Sequence, residues 1–465
     1  MSLISVQKTF RRSVALIMFA GLVVSASFAQ VYSRPVNPNP SPTPFLQTII
    51  VGGQKTSNYP KPSPTPYVKP TDQVTPTNPT ATSVPGYSGV LVETMEGKVV
   101  KDNYSNYAFN PASNVKILTT YAVLKTLGPN FRFTTDVYTD GEVDKTTGTL
   151  VGNVYIDGRN PSFSYENAVE IAEVLNKNGI RTIQGDLVVT NRFVMNFTES
   201  TERSAQLLFA TLDATKRSAA ATRSWQTFLT SSGKFNQLSS VPSVNFKGGL
   251  YVELMPNSLK IMFRHESAPL REIVKVMMSY SNNFLAERLG DYVGGFYSVA
   301  SICQKDGGFP QAEMILQSSS GLGVNRVTPR AMMRTLRTLL KLVEANKMTY
   351  GDIMPIAGRD QGTLERRFNS GFALGSVVGK TGTLGNTDGG VSALSGMMNT
   401  QKGKLLFVIF NQRGSVNSFR NFQNNFVSQI QNDFGGAVSL GYPTTQFAIR
   451  LANTRISYPT TRPRN

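Results

Sequence analysis

Three short strings occur in order along the chain: Ser113-Asn114-Val115-Lys116, then Ser281-Asn282-Asn283, then Lys380-Thr381-Gly382-Thr383. Together they describe a serine acyl-transfer site in which lysine, not histidine, is the base. A serine hydroxyl needs a base to become a nucleophile, and a lysine three residues later on a helix lies on the same face, one turn away. That lysine must be neutral to take the proton, although an ordinary lysine titrates at about 10.4. Burial, the positive end of the helix and a second cation such as Lys380 all lower this value. The same helix end favours the serine alkoxide. Backbone amides of Ser113 and Thr383 would form an oxyanion hole if the Lys-Thr-Gly segment lies edge-on beside the helix.

Composition removes most competing chemistries. A chain of 465 residues with one histidine, His265, and one cysteine, Cys303, has almost no material for a Cys-His dyad or a multi-histidine zinc site. A Ser-His-Asp triad would have to use His265, which sits in Phe263-Arg264-His265-Glu266 without a nucleophile-elbow glycine pattern nearby. The single cysteine also excludes an internal disulfide framework, so stability must come from the core.

Each string is weak taken singly. Ser5-Val6-Gln7-Lys8 and Ser231-Ser232-Gly233-Lys234 also match the first pattern, and Ser243-Val244-Asn245 matches the second. Alone, Ser113 reads as a helix-start serine, Ser281 and Asn283 as a polar turn, and Lys380 as the end of a strand. The order and the elements that carry the strings decide between copies.

Folded sequence is expected from Tyr87, with strands at Gly89–Glu93 and Lys98–Val100 joined by the turn at Glu96-Gly97. Ile117, Leu118, Tyr121 and Leu124 then recur at helical spacing until Gly128-Pro129, which places Ser113 in the first turn of a buried helix. From Phe131 to about Lys247 the texture changes to strands, with a helix near 165–178 ending at Gly179 and a polar stretch at 201–239 that reads as loop or helical cap. Further strands follow near 249–253 and 259–263. A helix opening at Ser267 and Pro269 carries an apolar stripe that Ser281 extends. A further helix begins at Thr328-Pro329. Strands at 376–382, 391–397 and 405–410 then precede an amphipathic helix with Phe419, Phe422, Phe426 and Ile430 on one face. Two opening strands, a helical middle, three closing strands and a covering helix describe an α+β fold, an antiparallel sheet flanked by helices.

With these strings in place the chain resembles the D-alanyl-D-alanine carboxypeptidases/endopeptidases, the low-molecular-mass class C penicillin-binding proteins, from about Gly89 to Phe434. The flanking residues Phe109-Asn110-Pro111-Ala112, Phe284-Leu285-Ala286-Glu287, Gly362-Thr363-Leu364 with Arg367-Phe368, and Val391 to Gly396 agree as well. The resemblance implies a β-lactamase/transpeptidase-like domain formed by residues 87–130 and 248–440, with a mainly-β accessory domain inserted at 131–247. It implies Ser113 as the acylated nucleophile and Lys116 as its base. Ser281 and Asn283 would relay a proton and hold the substrate amide, while Lys380, Thr381, Gly382 and Thr383 would bind the terminal carboxylate and shape the oxyanion hole. Peptidoglycan stem peptides ending in D-Ala-D-Ala are the implied substrate, and β-lactams the implied covalent inhibitors. No metal and no organic cofactor is implied. Two departures stand out: Asn282 where many members have Asp, and Ser318-Ser319-Ser320-Gly321-Leu322 where the family tends to have Asp-Gly-Ser-Gly-Leu. The second could loosen the site, which keeps open a slow-turnover wall-binding or sensory module; a β-lactamase is the third reading.

The N-terminus reads as an export signal over residues 1–29: Lys8, Arg11 and Arg12 precede an apolar run from Val14 to Val24 and small residues near Ala29. That run is short for a bilayer span, which needs about 20 residues. A periplasmic or cell-envelope location follows. Residues 30–86 repeat Pro-Ser-Pro-Thr-Pro and read as a disordered tether, with one apolar run at 45–51. The net charge of +18, densest in a basic tail at 441–465, suits an anionic cell-wall or membrane surface; no compact basic-aromatic motif points to nucleic acid.

Overall fold

The computed structural model describes residues 87–257 and 259–459. The expected signal, the tether with its run at 45–51, and the copy of the first pattern at Ser5 lie outside the described residues.

The strand Gly403–Gln412 organises the main part of the chain. Its run Leu405-Leu406-Phe407-Val408-Ile409-Phe410 is apolar at every position, and pleating sends alternate side chains to opposite faces. Leu406, Val408 and Phe410 enter one core with the helices Val115–Leu127, Leu270–Tyr280, Asn283–Tyr292, Gly295–Gly307 and Pro329–Ala345. Leu405, Phe407 and Ile409 enter a second core closed by the helix Val416–Asp433. A strand apolar on both faces requires cover on both faces, and the result is a helix/sheet/helix sandwich. The sheet has five antiparallel strands in the spatial order 377–384, 391–400, 403–412, 87–94 and 99–103. The Lys-Thr-Gly strand, Val377–Leu384, is therefore an edge strand.

The covering helix turns differently from expectation. Phe419, Gln423, Val427 and Ile430 are its buried stripe, while Phe422 and Phe426 are only half-buried. Gln423 takes an inward place because its amide is satisfied there by Ser392 Oγ at 3.1 Å and Asn411 Oδ1 at 2.9 Å.

The accessory part departs from its expected outline in three ways. Its six-stranded sheet has the order 250–252, 187–189, 154–158, 134–139, 260–266, 455–457, with parallel and antiparallel pairs mixed. Leu250–Val252 and Lys260–Glu266, which follow the expected boundary at Lys247, therefore belong to this sheet, as does Arg455–Ser457 from the expected basic tail. The polar stretch 201–239 carries two helices, Thr201–Leu212 and Ala219–Ser231. Only single stripes such as Ala205, Leu208 and Leu212 are buried, so the apolar signal is sparse and Ser200 and Ser218 supply the caps.

His265 lies in this accessory sheet, fully buried, with Nε2 at 3.1 Å from Glu170 Oε2. Glu170 Oε2 also accepts from Thr454 Oγ1 at 2.8 Å, and Lys234 Nζ lies 3.4 Å from Glu170 Oε1. Both surviving copies of the motifs serve this packing too: Lys234 pairs with Glu170, and Ser243 Oγ accepts from the Ala214 amide at 2.9 Å. Removing the Glu170 carboxylate leaves three polar partners without it, one of them fully buried. Glu170→Ala is expected to lower unfolding free energy by about 2–4 kcal/mol, read as a fall in the urea midpoint at unchanged slope; an unaltered midpoint would show that this cluster does not hold the C-terminal segment.

Candidate active site

Ser113 sits in a 3-10 turn, Ala112–Asn114, that leads directly into the helix Val115–Leu127. Ala112 occupies the left-handed region at φ 45°, an uncommon conformation for a residue with a side chain. Asn110 holds it there. Its Oδ1 accepts from the Ala112 amide at 3.0 Å, and its Nδ2 donates to Gly323 O at 3.0 Å and to Asp388 Oδ2 at 2.8 Å. Asp388 is itself gripped by both arms of Arg326, at 3.0 and 2.8 Å. Gly321 completes the turn: a Cβ there would fall 2.0 Å from Ala112 O.

Lys116 Nζ lies 3.1 Å from Ser113 Oγ, 2.7 Å from Asn283 Oδ1 and 2.7 Å from Ser320 O. The last two atoms can only accept. A neutral amine has two N–H bonds and one lone pair; donating to Asn283 and Ser320 leaves the lone pair for the Ser113 hydroxyl. Burial pushes the lysine down to about 7, against the charge of Glu287. At neutral pH a large share of the side chain is therefore the free base.

Lys275 supplies the contrast. It is fully buried, but Asp360 Oδ2 stands 2.5 Å away, and Gly351 O and Met354 O accept its other protons. That is a closed structural ion pair. Lys116 and Lys380 have no carboxylate within ion-pair distance among the described residues. Lys380 is fully buried on the edge strand, donates to Thr381 O at 2.8 Å, and is held well below the usual lysine range by burial and by the nearby Lys116 charge. The edge strand packs on the Ser113 turn: a Cβ at Gly382 would stand 2.7 Å from Pro111 O and 3.0 Å from the Ala112 Cβ. Thr381 is half-buried, whereas Thr383 is exposed and its Oγ1 accepts from Arg420 Nη2 at 3.1 Å.

The second string is a break between two helices. Ser281 ends Leu270–Tyr280 in the left-handed region at φ 57°, and does not continue its stripe. Asn282 caps Asn283–Tyr292 by accepting from the Leu285 amide at 2.9 Å. Asparagine caps as well as aspartate, which accounts for Asn282 where the resemblance expects an acid. Asn283 then reaches Lys116. Thr363, in the flanking Gly362-Thr363-Leu364 string, braces this break by donating its amide to Ser279 O at 3.0 Å.

The loop 318–322 is tightly held despite the missing acid. Glu287 Oε2 and Oε1 accept from the Ser319 and Ser320 amides at 3.0 and 2.9 Å. Ser318 Oγ accepts from the Gly321 amide at 2.9 Å and donates to Leu322 O at 2.8 Å, so its hydroxyl closes the turn. Glu287 thus positions the Ser320 carbonyl that holds Lys116. Asn110 and Glu287 were visible in the flanking strings, but their roles depend on partners far along the chain. Asp388, Arg326 and Arg420 gave no sequence signal.

Other routes are closed by position. His265 is in the accessory sheet, and Cys303 is buried behind the Ser113 helix with its thiol pushed up by burial. No group of three or more His, Cys, Asp or Glu side chains among the described residues could hold a metal ion.

The chain is 32% identical to the D-alanyl-D-alanine carboxypeptidase DacB of Haemophilus influenzae over 183 residues, which is 36% of each protein. It thus spans about a third of that relative's length. It is 24% identical over 424 residues to a D-alanyl-D-alanine carboxypeptidase of Actinomadura sp. (strain R39), covering 69% of this chain and 77% of that protein. Among solved structures, a penicillin G-acylated predatory endopeptidase of Bdellovibrio bacteriovorus (Bd3459), bound to its immunity protein, superimposes with a TM-score of 0.64 at 22% identity, covering 77% of this chain and 95% of that one; this likeness is one of fold. The model of the D-Ala-D-Ala carboxypeptidase 3 (S13) family matches residues 82–202 and 212–432, and the chain belongs to that family.

Proposed function

We propose that the protein cuts D-Ala-D-Ala ends or D-amino-acid cross-links of peptidoglycan through an ester formed on Ser113. The observation that carries this reading is the buried Lys116 amine, without a carboxylate at ion-pair distance among the described residues, 3.1 Å from Ser113 Oγ and held by two oxygens that can only accept. In this mechanism Ser113 Oγ attacks the penultimate D-Ala carbonyl and its proton passes to Lys116 Nζ. Backbone amides of Ser113 and Thr383 stabilise the oxyanion. Ser281 relays the proton to the departing amine, Asn283 holds the substrate amide, and Lys380, Thr381 and Thr383 receive the terminal carboxylate beside Gly382. Water then attacks the ester and frees the serine.

β-Lactams imitate the scissile amide and are expected to stop at the ester. Rapid β-lactam hydrolysis would need a well-placed carboxylate to activate water; Glu287, the acid felt by Lys116, is instead engaged through each oxygen with a backbone amide of the 318–322 loop. A slow-turnover binding module finds no support in the 318–322 loop, which is braced rather than loosened. The cell envelope is the proposed location, supported by the N-terminal basic and apolar segment and by a wall-polymer substrate. No helix among the described residues is long and apolar enough to cross a membrane.

Incubation with a fluorescent penicillin, followed by mass mapping, is expected to place the adduct on Ser113, and Ser113→Ala to remove it while the protein stays folded; folded wild type without an adduct would sink the proposal. The acylation rate is expected to climb with pH along a limb centred at about 7, because Lys116 is protonated and inert below that value and a free base above it. Lys116→Arg, which cannot deprotonate, should slow acylation about 10²–10⁴-fold; a rate flat from acid to alkaline pH would remove Lys116 as base. Asn110→Ala should slow acylation roughly tenfold through loss of the Ala112 anchor, with the limb still centred at about 7. Stopped-flow acylation of the variant across pH distinguishes this from a change in the base itself.

A further inference from the structure

A cleft of about 450 Å³ opens where the accessory sheet, the start of the helix Leu270–Tyr280 and the C-terminal segment meet. Arg132, Arg271 and Arg455 line it, with Glu266, Asn130 and Asn453 between them. The contacts of these arginines leave much of their charge uncancelled. Arg132 Nη1 donates to Ser267 O and Asn453 O at 2.6 Å each, and Nη2 donates to Asn453 Oδ1 at 3.0 Å, all neutral acceptors. Arg271 donates to Asn130 Oδ1, and its Nε reaches Glu272 Oε1 at 3.1 Å. That same Glu272 carboxylate also receives Arg450 Nη1, at 2.7 Å. Glu266 stands opposite Arg455 in register and accepts from Ser457 Oγ at 3.1 Å.

Three guanidiniums therefore line the opening with one carboxylate, Glu266, while the nearby Glu272 is shared between Arg271 and Arg450. Burial, together with repulsion from Arg455 and Arg271 and against attraction from Glu266, pulls Arg132 below the usual arginine range. A bound anion would relieve that repulsion. The helix end is not the source of attraction, because the Leu270 and Arg271 amides already donate to Phe131 O and Pro129 O.

We propose that this cleft is a second, non-catalytic site that grips free carboxylates of the peptidoglycan network through Arg132, Arg271 and Arg455. The inference rests on the substrate class proposed above and extends it. Guanidinium forks pair with carboxylates through two parallel hydrogen bonds, which lysine cannot do. Arg271 and Ser281 lie at opposite ends of one helix, roughly 15 Å apart along its axis. An extended stem peptide of five residues spans about 17 Å, so the far end of a bound stem or a neighbouring stem of the network would reach the arginines.

The test uses the full chain carrying Arg271→Gln and Arg455→Gln together; Arg132 is left in place because it anchors Asn453. Co-sedimentation is measured with sacculi stripped of secondary polymers, before and after their carboxylates are amidated, and with poly(glycerol phosphate) as competitor. The double variant is expected to bind unmodified sacculi about tenfold more weakly. Wild type should lose a similar factor on amidated sacculi, and fluorescent penicillin should label Ser113 at the same rate in both proteins. Unchanged sacculus binding by the variant would overturn the site. Indifference to amidation combined with competition by poly(glycerol phosphate) would overturn the carboxylate assignment in favour of a phosphate. Failure of penicillin to label either protein would count against the Ser113 mechanism alone, since the sedimentation arm still reads the cleft.

Discussion

A lysine amine buried without a carboxylate partner is the constraint on which the rest of the site depends. Leaving Lys116 uncompensated inside the protein is costly, and the cost is met by lowering its proton affinity rather than by pairing its charge. Lys275 shows the alternative this fold uses when the only purpose is structure: an aspartate at 2.5 Å and two backbone carbonyls. Burial lowers both lysines, which lie on neighbouring helices; Asp360 draws Lys275 back toward its charged form, and Lys116 has no such carboxylate at ion-pair distance among the described residues. Lys380, on the adjacent strand and likewise without an acid at ion-pair distance among the described residues, is held well below the usual lysine range by burial and by the Lys116 charge, so the two amines disfavour each other's protonated form.

Around this amine the chain has built a rigid shell. Glu287 fixes the loop that presents the Ser320 carbonyl, and the helix break at Ser281 and Asn282 delivers Asn283. Asn110 ties the strained Ala112 turn to Asp388 and Arg326. Apart from Ser281 and Asn283, to which the proposed reaction gives direct parts, these groups carry out no chemical step. They fix the Lys116 amine 3.1 Å from the serine hydroxyl, and small displacements in such an arrangement are expensive in rate. At Ser318, where the resemblance expects an acid, a hydroxyl closes the turn by accepting from the Gly321 amide and donating to Leu322 O.

The accessory part and the C-terminal segment belong to the same mechanical unit. Phe197 of the accessory part packs edge-on against Phe284, directly after Asn283, with ring centres 6.0 Å apart. Tyr292 of the following helix donates to Arg159 O at 2.7 Å. Arg450 bonds Glu272 at 2.7 Å, on the helix that ends at Ser281, and the last strand pairs with Lys260–Glu266. The basic residues that look like a loose tail are therefore partly structural and partly the rim of the arginine cleft.

Much of the site was legible in the order of residues because its first link is local. A three-residue spacing across the turn that opens the helix brings Lys116 beside Ser113, and the scarcity of His and Cys makes lysine the base to propose. The closing strands and the helix ending at Gly179 were legible for the same reason, since periodicity and glycine stops act over a few residues. What surrounds Lys116 is another matter. Asn283 and Ser320 lie 167 and 204 residues away in the chain, and no local pattern says which polar groups meet a buried amine or whether a carboxylate is among them. Tertiary structure also decided that Leu250–Val252, Lys260–Glu266 and Arg455–Ser457 join the accessory sheet, because strand pairing is made by partners distant in sequence. The sparse stripes at 201–231 became helices only where that sheet offered them a surface to cover. Residue types and spacing determined which atoms could react; packing determined the protonation state in which they meet.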